Sequence, residues 1–231
     1  GKKVLDSINL EIVAGQTIGL VGTAASGKTT LLRVLQGFIR PTIGTILVDG
    51  RAFNTLDLES YRSQVSMVNT SPKFFAGSIE DNIRRVRRNI SERELDNAIE
   101  LSGLNDILPN IDGGMSHQLD SFASSIPNSY KQIIAIARAL ASNSKVLLFD
   151  EVFSSLDKSL QAQLFGKIKA ISKNKTLILV THDLRLSKNL DQILVMHEGG
   201  IVGFSTHENL LASNVMYQKL WKLDQFSEEV N

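Results

Sequence analysis

The sequence predicts an α/β protein with a mainly parallel sheet, an antiparallel β part near the N-terminus and an inserted block of helices. Three observations support this fold class. Short, continuous apolar runs typical of buried parallel strands occur in the first and last thirds of the chain. Glycine-bearing turns separate these runs from helical segments. Between residues 78 and 140, apolar residues instead recur at helical spacing.

Composition limits the class of protein. The 231 residues carry 25 Lys and Arg against 24 Asp and Glu, and 42% of them are hydrophobic. This is ordinary globular usage for one large domain or two small ones, without the basic excess typical of nucleic-acid binders. The absence of cysteine excludes disulfides, a thiol nucleophile and a Cys-ligated zinc site. No apolar run approaches the roughly 18 residues of a membrane span, and the start at Gly1 indicates a piece of a longer chain.

The first third of the chain is predicted to be mostly β. Its strands are an edge strand with alternating Ile8, Leu10 and Ile12, followed by Gln16–Val21, Thr45–Val48 and Val65–Val68. The dipeptides Ala14-Gly15 and Asp49-Gly50 are predicted to form turns. The segment Thr29–Gln36 is predicted to be a helix closed by Gly37, which suits the left-handed position after a helix.

The middle of the chain is predicted to be helical. Ser91 and Glu94 form a capping box that opens a helix over Glu92–Leu101. A polar loop over Pro109–Ser129 leads to a further helix, whose apolar face consists of Ile133, Ile134, Ile136, Ala137 and Leu140. We therefore expect one domain over residues 1–231, with an α/β core at about 1–76 and 143–231 and a helical subdomain at about 77–142.

The last third returns to alternating strands and helices. Strands are predicted at Lys145–Phe149, Thr176–Val180, Ile193–Met196 and Ile201–Phe204, with a turn at Gly199-Gly200 and a helix over Ser159–Ile171. A C-terminal helix is expected to pack Trp221 in the core together with Leu220, Leu223 and Phe226.

The clearest chemical signal is a phosphate-binding pattern between the second strand and the first helix. Residues 22–29 match G-x-x-x-x-G-K-[ST] in the strand–loop–helix context that this motif requires. Loop amides and the helix N-terminus attract phosphates, Lys28 adds a full positive charge, and the Thr29 hydroxyl is a ligand for Mg²⁺. The predicted nucleotide-binding residues are Gly22, Thr23, Ala24, Ala25, Ser26, Gly27, Lys28, Thr29 and Thr30.

Two further strands end in residues suited to phosphoryl transfer. Asp150 and Glu151 follow the Lys145–Phe149 strand, where Asp150 is placed to hold the metal and Glu151 to orient or deprotonate the attacking water. His182 follows the Thr176–Val180 strand. Because ligands gather beyond the carboxyl ends of parallel strands, we expect His182 near the γ-phosphate, although a lone histidine is more often structural. Glu151, His182 and Lys28 are the predicted catalytic residues.

The order of these motifs resembles the ATP-binding cassette (ABC) ATPases over nearly the whole chain. The matching segments are the phosphate loop, the strand with its two acids, Ser154–Asp157 (similar to the D-loop of the family), His182 and the closing segment Gly200–Leu211. The segment Phe74–Ile83 is similar to cassettes that are fused behind the transmembrane domain of an exporter.

This resemblance implies a P-loop NTPase (RecA-like) core that binds ATP and Mg²⁺ and powers export through a transmembrane domain, at the cytoplasmic face of a membrane. It also implies a head-to-tail pair of cassettes, in which Ser129 and Asp157 contact the site of the partner. The lid glutamine of the family corresponds to Thr70, which offers one oxygen to the metal but has a shorter reach. No nucleic-acid partner is expected.

The sequence departs from the family in an uneven way. The Leu-Ser-Gly-Gly-Gln signature corresponds to Ile126-Pro127-Asn128-Ser129-Tyr130, and Pro127 offers neither a hydroxyl nor an N–H group. Residues 1–7 contain no aromatic residue to stack on adenine. The half-site made by this chain is thus intact apart from Thr70, whereas the half-site lent to a partner is degenerate. We therefore predict an asymmetric pair with a non-identical cassette.

Several alternatives remain open from the sequence. The chain is either a motor or a catalytically weak regulatory cassette of the same fold, and a DNA-repair or translation ATPase of the same superfamily is a third possibility. The arginines 84, 85, 87 and 88 form either a solvated helix face or a contact for an acidic loop of a membrane domain. His117, His197 and His207 have no metal-ligand spacing and are interpreted as structural or exposed.

Overall fold

The computed structural model describes residues 3–87, 89–171 and 175–229 of the chain. The strands are β1 (Thr17–Gly22), β2 (Leu47–Val48), β3 (Arg51–Ala52), β4 (Val65–Val68), β5 (Gly77–Ser78), β6 (Gln118–Leu119), β7 (Val146–Asp150), β8 (Thr176–Val180), β9 (Gln192–His197) and β10 (Gly200–Ser205). The α-helices are α1 (Lys28–Leu35), α2 (Leu58–Ser63), α3 (Ile79–Arg84), α4 (Glu92–Ser102), α5 (Leu104–Ile107), α6 (Asn128–Ala141), α7 (Lys158–Ile171), α8 (Leu184–Ser187), α9 (His207–Ser213) and α10 (Val215–Glu229).

Six of these strands form the central sheet in the order β10-β9-β1-β8-β7-β4. All neighbours in it are parallel except β9 and β10, which form an antiparallel hairpin. The hairpin β2–β3 and the pair β5–β6 add small antiparallel sheets. The predicted fold class is therefore confirmed. Because β1, β7 and β8 are adjacent and parallel, the residues after them meet at one edge of the sheet.

The two faces of the sheet are covered separately. In β7, Leu147 and Phe149 belong to a large core cluster shared with α3 to α7, whereas Leu148 belongs to a second cluster that contains Leu31 and Leu32 of α1. This alternation follows from the two-residue period of a strand. Both faces of β7 and β8 are buried, as the continuous apolar runs predicted.

The middle of the chain forms helices that pack on α6. Two of these helices begin with the capping boxes Ser78–Asp81 and Ser91–Glu94, the second of which the sequence predicted. The arginines beside them contact the domain itself: Arg84 forms ion pairs with Glu80 and Glu92, and Arg87 pairs with the Glu94 carboxylate. Arg88 lies outside the described residues. The predicted subdomain boundaries near residues 77 and 142 stay a prediction.

Two predictions about local structure are wrong. Residues 8–12 form no strand, although Ile8, Leu10 and Ile12 pack against the second core cluster. Alternating polarity gives the segment an apolar side, but a strand also needs a neighbouring backbone to pair with. The C-terminal helix α10 forms as predicted, yet Leu223 and Phe226 are 66% and 63% exposed. None of the described helices has the length and apolarity to cross a membrane.

Candidate functional site

The phosphate loop (residues 22–29) connects β1 to α1, and its first glycine is required by the fold. Gly22 has a φ of +152°, and a Cβ atom there would lie 2.1 Å from the carbonyl oxygen of Met196 on β9. Gly27 closes the loop at the N-cap of α1 with a φ of +99°. Both conformations favour glycine. The loop therefore passes close to β9 and leads directly into the first turn of α1.

Two small residues within the loop are unusual: one has a strained backbone and the other a buried hydroxyl that is unpaired within the described ranges. Ala25 has a φ of +57°, a left-handed conformation that costs a non-glycine residue about 1–2 kcal/mol. The Ser26 hydroxyl is buried without a hydrogen-bond partner among the described residues. A buried polar atom of this kind normally has a partner, so an incoming oxygen ligand at the loop would satisfy it.

Lys28 turns back onto its own loop. Its ammonium group donates to the carbonyl oxygens of Gly22 and Thr23, both at 3.0 Å. Burial lowers the pKa of Lys28, and the nearby charges of Glu151 and Asp150 oppose that shift. The lysine is thus a buried cation at the mouth of the loop, and its two carbonyl contacts are replaceable by anionic oxygens.

Thr29 and Asp150 lie next to each other, as predicted. The Thr29 hydroxyl donates to Asp150 Oδ2 at 3.2 Å across 121 residues of sequence. Burial raises the pKa of Asp150, although its bond from Thr29 acts in the opposite direction. A hydroxyl and a buried carboxylate are hard oxygen donors of the kind that Mg²⁺ prefers. These two residues therefore fit a magnesium ion.

Glu151 and His182 are also brought together. Their Oε1 and Nε2 atoms lie 2.8 Å apart, with 31% and 63% of the respective side chains exposed. Glu151 has a φ of +55°, and its amide donates to the carbonyl of Val180 at the end of β8. Behind His182, the Asp183 carboxylate caps α8 and forms an ion pair with Arg185. The carboxylate and the imidazole thus share one partly solvated position.

The predicted lid and signature residues are more peripheral. Thr70 is exposed in the lid segment (residues 69–74) that follows β4. Ser129 lies in the first turn of α6. Pro127, two residues earlier, occupies the N-cap without a side-chain hydrogen bond to the helix. The exposed Asp157 accepts a hydrogen bond from the Leu160 amide at 2.9 Å in the first turn of α7. The nucleotide, metal and partner roles of these residues stay predictions.

The structure also points to residues that sequence reasoning missed. His197 was interpreted as structural or exposed, but its Nδ1 atom lies 3.4 Å from the Thr23 hydroxyl in the phosphate loop. Its position at the end of a strand that neighbours β1 could have indicated this. Gln132 reaches the lid segment from α6, and no sequence pattern signals that contact.

A cavity of about 570 Å³ lies beside the phosphate loop. Its walls come from the loop residues 22–24, from residues 181–185 around His182, and from Leu220, Leu223 and Asp224 of α10. The Asp224 carboxylate also accepts a hydrogen bond from the Leu184 amide at 3.3 Å. The C-terminal helix is thus connected to the segment that positions His182.

Comparisons with known proteins agree with this geometry. A family model described as ABC transporter matches residues 5–154. The chain is 33% identical over 99% of its length to the ATP-dependent lipid A-core flippase of Ralstonia nicotianae, of which it covers 39%. It is 31% identical over 94% of its length to a multidrug efflux ATP-binding/permease protein of Mycobacterium bovis, of which it covers 18%. The chain thus spans less than half of these relatives.

A solved structure shares the fold. The structure of a bacterial Atm1-family ABC exporter with ATP bound superimposes with a TM-score of 0.90 at 28% identity. The match covers 95% of this chain and 38% of the exporter chain. The elements that carry the phosphate loop, the two acids and His182 therefore have counterparts in an ATP-binding protein.

Proposed function

The chain belongs to the ABC transporter family as one of its ATP-binding domains, and we propose that it is the ATP-hydrolysing motor of an exporter. One observation carries the proposal: Lys28, Thr29, Asp150, Glu151 and His182 come from three separate parts of the sequence and meet at one edge of the sheet. In this arrangement a cation, a metal-ligand pair and an acid–imidazole pair surround the mouth of the phosphate loop.

Each of these residues has a role that its position supports. The loop amides and Lys28 hold the β- and γ-phosphates, and the Lys28 ammonium exchanges two carbonyl contacts for phosphate oxygens. Thr29 and Asp150 would hold Mg²⁺, which supplies positive charge against the phosphates when bound. Glu151 orients the attacking water or accepts a proton from it. The Nε2 group of His182 contacts the Glu151 carboxylate in this structure and would donate to the γ-phosphate when ATP is bound.

The rest of the transporter lies outside this chain. We propose that a transmembrane domain, fused or separate, receives the motion of the cassette at the cytoplasmic face of a membrane. The support comes from relatives named as a flippase and as an efflux ATP-binding/permease protein, of which the chain covers 39% and 18%. The exporter-like segment Phe74–Ile83 supports the same partner.

We also propose that the cassette works in an asymmetric, head-to-tail pair. Its own phosphate site has the full set of side chains apart from Thr70, whereas the segment it offers to a partner begins with an uncapped helix at Pro127. A non-identical cassette with an intact signature would complete the site on this chain, and the opposite site would turn over slowly.

A regulatory cassette with little turnover is the second candidate function. It is favoured by Thr70, whose side chain is shorter than the glutamine of the family and leaves the lid with less reach toward metal and water. The two candidates share ATP binding and differ in chemistry, so binding and hydrolysis are measured separately.

Calorimetry with ATP and Mg²⁺ tests the shared premise. Charge-assisted hydrogen bonds contribute about 1.5–3 kcal/mol, so Lys28→Ala is expected to weaken binding roughly 10- to 100-fold. Lys145→Ala, at an exposed position on the opposite edge of the sheet, is the matched control and keeps the affinity. Equal affinities for the parent and Lys28→Ala would refute a nucleotide site at this loop.

Single-turnover hydrolysis then separates motor from regulator. General-base catalysis contributes about 10²–10⁴-fold, so Glu151→Gln lowers the rate of a motor by at least a hundredfold while ATP binding persists. Glu11→Gln, an exposed glutamate before β1, is the control. A rate that Glu151→Gln leaves unchanged favours the regulatory cassette.

A mixing experiment tests the asymmetry. A second copy of the chain carries the restored signature (Pro127→Ser, Asn128→Gly, Ser129→Gly and Tyr130→Gln) together with Lys28→Ala. It therefore lends a signature, while its own site binds ATP roughly 10- to 100-fold more weakly. Adding this copy to the parent chain is expected to raise ATP turnover above the sum of the two separate rates. The same copy without the four signature changes is the control. A strictly additive rate contradicts the proposal of a degenerate signature.

A further inference from the structure

Helix α6 holds the lid segment at two points. The Gln132 Nε2 group donates to the backbone carbonyl of Asn69 at 3.0 Å. Six residues later in the helix, an Arg138 guanidinium nitrogen donates to the carbonyl of Lys73 at 2.7 Å. The Arg138 guanidinium also lies 5.3 Å from the centre of the Phe74 ring. Both ends of the segment are thus attached to the same helix.

The contact through Gln132 is buried and incompletely satisfied. Gln132 is only 2% exposed, and its Oε1 atom has no hydrogen-bond partner among the described residues. An unpaired buried acceptor is costly, and each such group in a folded protein requires an explanation. The unpaired oxygen is an acceptor that a lid amide would satisfy if the lid moved toward it.

The bond from Gln132 also fixes the position of Thr70. The Asn69 side chain accepts a hydrogen bond from the Ser71 amide at 3.1 Å, which closes a tight turn around Thr70. Gln132 holds the backbone carbonyl of that same asparagine. Thr70 is therefore connected to α6 through the backbone of Asn69, so a movement of either segment is expected to shift the other.

The other end of this connection faces the partner cassette. Gln132 lies four residues after Asn128, the first residue of α6, which is about one helical turn or 6 Å along the axis. The first turn contains Ser129, the residue expected to contact the partner's ATP. One buried side chain thus separates the lid of one nucleotide site from the surface offered to the other.

We propose that Gln132 is a positioning residue that couples Thr70 to the partner-facing first turn of α6, so that the two nucleotide sites of a pair sense each other through it. The nucleotide dependence of this coupling rests on the proposed function, but the mechanical link does not. Because the link exists in the chain alone, it is measurable without ATP.

The absence of cysteine makes the test direct. Spin labels on Ser71→Cys in the lid and Asn128→Cys in α6, both exposed, report the distance between these two segments by electron paramagnetic resonance. A neutral hydrogen bond contributes about 1 kcal/mol, so removing it with Gln132→Met is expected to raise the population of released lid roughly fivefold. The distance distribution then broadens. Gln118→Met, at an exposed glutamine, is the matched control and leaves the distribution narrow.

Two measurements on the unlabelled chain, of ATP affinity and of the single-turnover rate, separate a positioning role of Gln132 from a purely structural one. For Gln132→Met we expect an unchanged affinity for ATP and a lower single-turnover rate, because the phosphate loop is intact while a larger fraction of molecules has a released lid. A parallel loss of affinity and folded population would mean a merely structural role and would overturn the proposal.

The outcomes also distinguish this proposal from the proposed function. A parent chain that fails to bind ATP refutes the function, yet a broadened nucleotide-free distribution in Gln132→Met still supports the link. A distribution identical to that of the parent refutes the link even when ATP binds and is hydrolysed. Should Gln132→Met fail to fold, Gln132→Asn replaces it, since it stays polar but is one methylene too short to reach Asn69.

Discussion

Helix α6 begins without a side-chain cap, and substituting serine for Pro127 is expected to supply one. Pro127 stands at the N-cap with φ −59° and ψ 154°. Ser78 and Ser91 have nearly the same angles, φ −69° and ψ 164° and φ −74° and ψ 156°, at the N-caps of α3 and α4. Each of them accepts a hydrogen bond from the amide three residues on. A serine at position 127 should therefore accept from the Tyr130 amide without a change in the backbone.

The magnitude follows from a comparison of two variants. Pro127→Ser and Pro127→Ala both lose the proline ring, and the resulting gain in unfolded-state entropy, about 0.4–1 kcal/mol, cancels between them. A serine N-cap stabilises a protein by about 1 kcal/mol relative to alanine. For a domain of this size, that difference corresponds to a Tm difference of roughly 2–4 °C.

Thermal unfolding followed by circular dichroism measures this difference. The expected order of Tm values places Pro127→Ser above Pro127→Ala. Ser91→Ala removes an existing cap and serves as the internal reference, with a Tm lowered by a similar amount. Equal Tm values for the two Pro127 variants, beside a lowered value for Ser91→Ala, would refute the assignment of residue 127 as the N-cap of α6.

Two further predictions concern the phosphate loop and helix α4. Gly22→Ala places a Cβ atom 2.1 Å from the Met196 carbonyl oxygen at a φ of +152°. We expect it to lower the free energy of unfolding by about 2–5 kcal/mol. An unchanged midpoint of urea unfolding would contradict this. Hydrogen bonds from Arg87 and Ser91 lower the pKa of Glu94 from 4.5 to about 2. The stabilisation from Glu94 is therefore complete above pH 4.5 and is lost as the pH falls through about 2. Glu94→Gln should flatten the dependence of the unfolding free energy on pH within that window, and identical pH profiles would show that Glu94 makes no such contribution.

Local signals predicted most of the fold. Two strands have the predicted bounds, Val65–Val68 and Thr176–Val180. Short, continuous apolar runs between turns form buried strands in most α/β proteins. The capping box at Ser91 fixed the start of α4 for a similar reason, since its two hydrogen bonds are made within one turn. The edge strand over residues 8–12 failed because strand pairing depends on a distant segment that periodicity does not reveal.

The contacts of the candidate site that follow from the order of the strands were predictable from the sequence. The contacts that depend on how individual side chains pack were not. The contacts of Thr29 with Asp150 and of Glu151 with His182 follow from three adjacent parallel strands that end at one edge. The resemblance to the ABC family is confirmed by the family match over residues 5–154. In contrast, the bond from Gln132 to the lid depends on how α6 packs across 63 residues of sequence, which no local pattern encodes.

The backbone at Glu151 bears on whether this cassette still hydrolyses ATP. Its φ of +55° costs about 1–2 kcal/mol for any residue with a Cβ atom, and a glycine there would relax it. That exchange would relieve the backbone strain but would remove the carboxylate. Folding alone therefore gives no reason for a glutamate at this strained position, which agrees with the catalytic role proposed for its carboxylate.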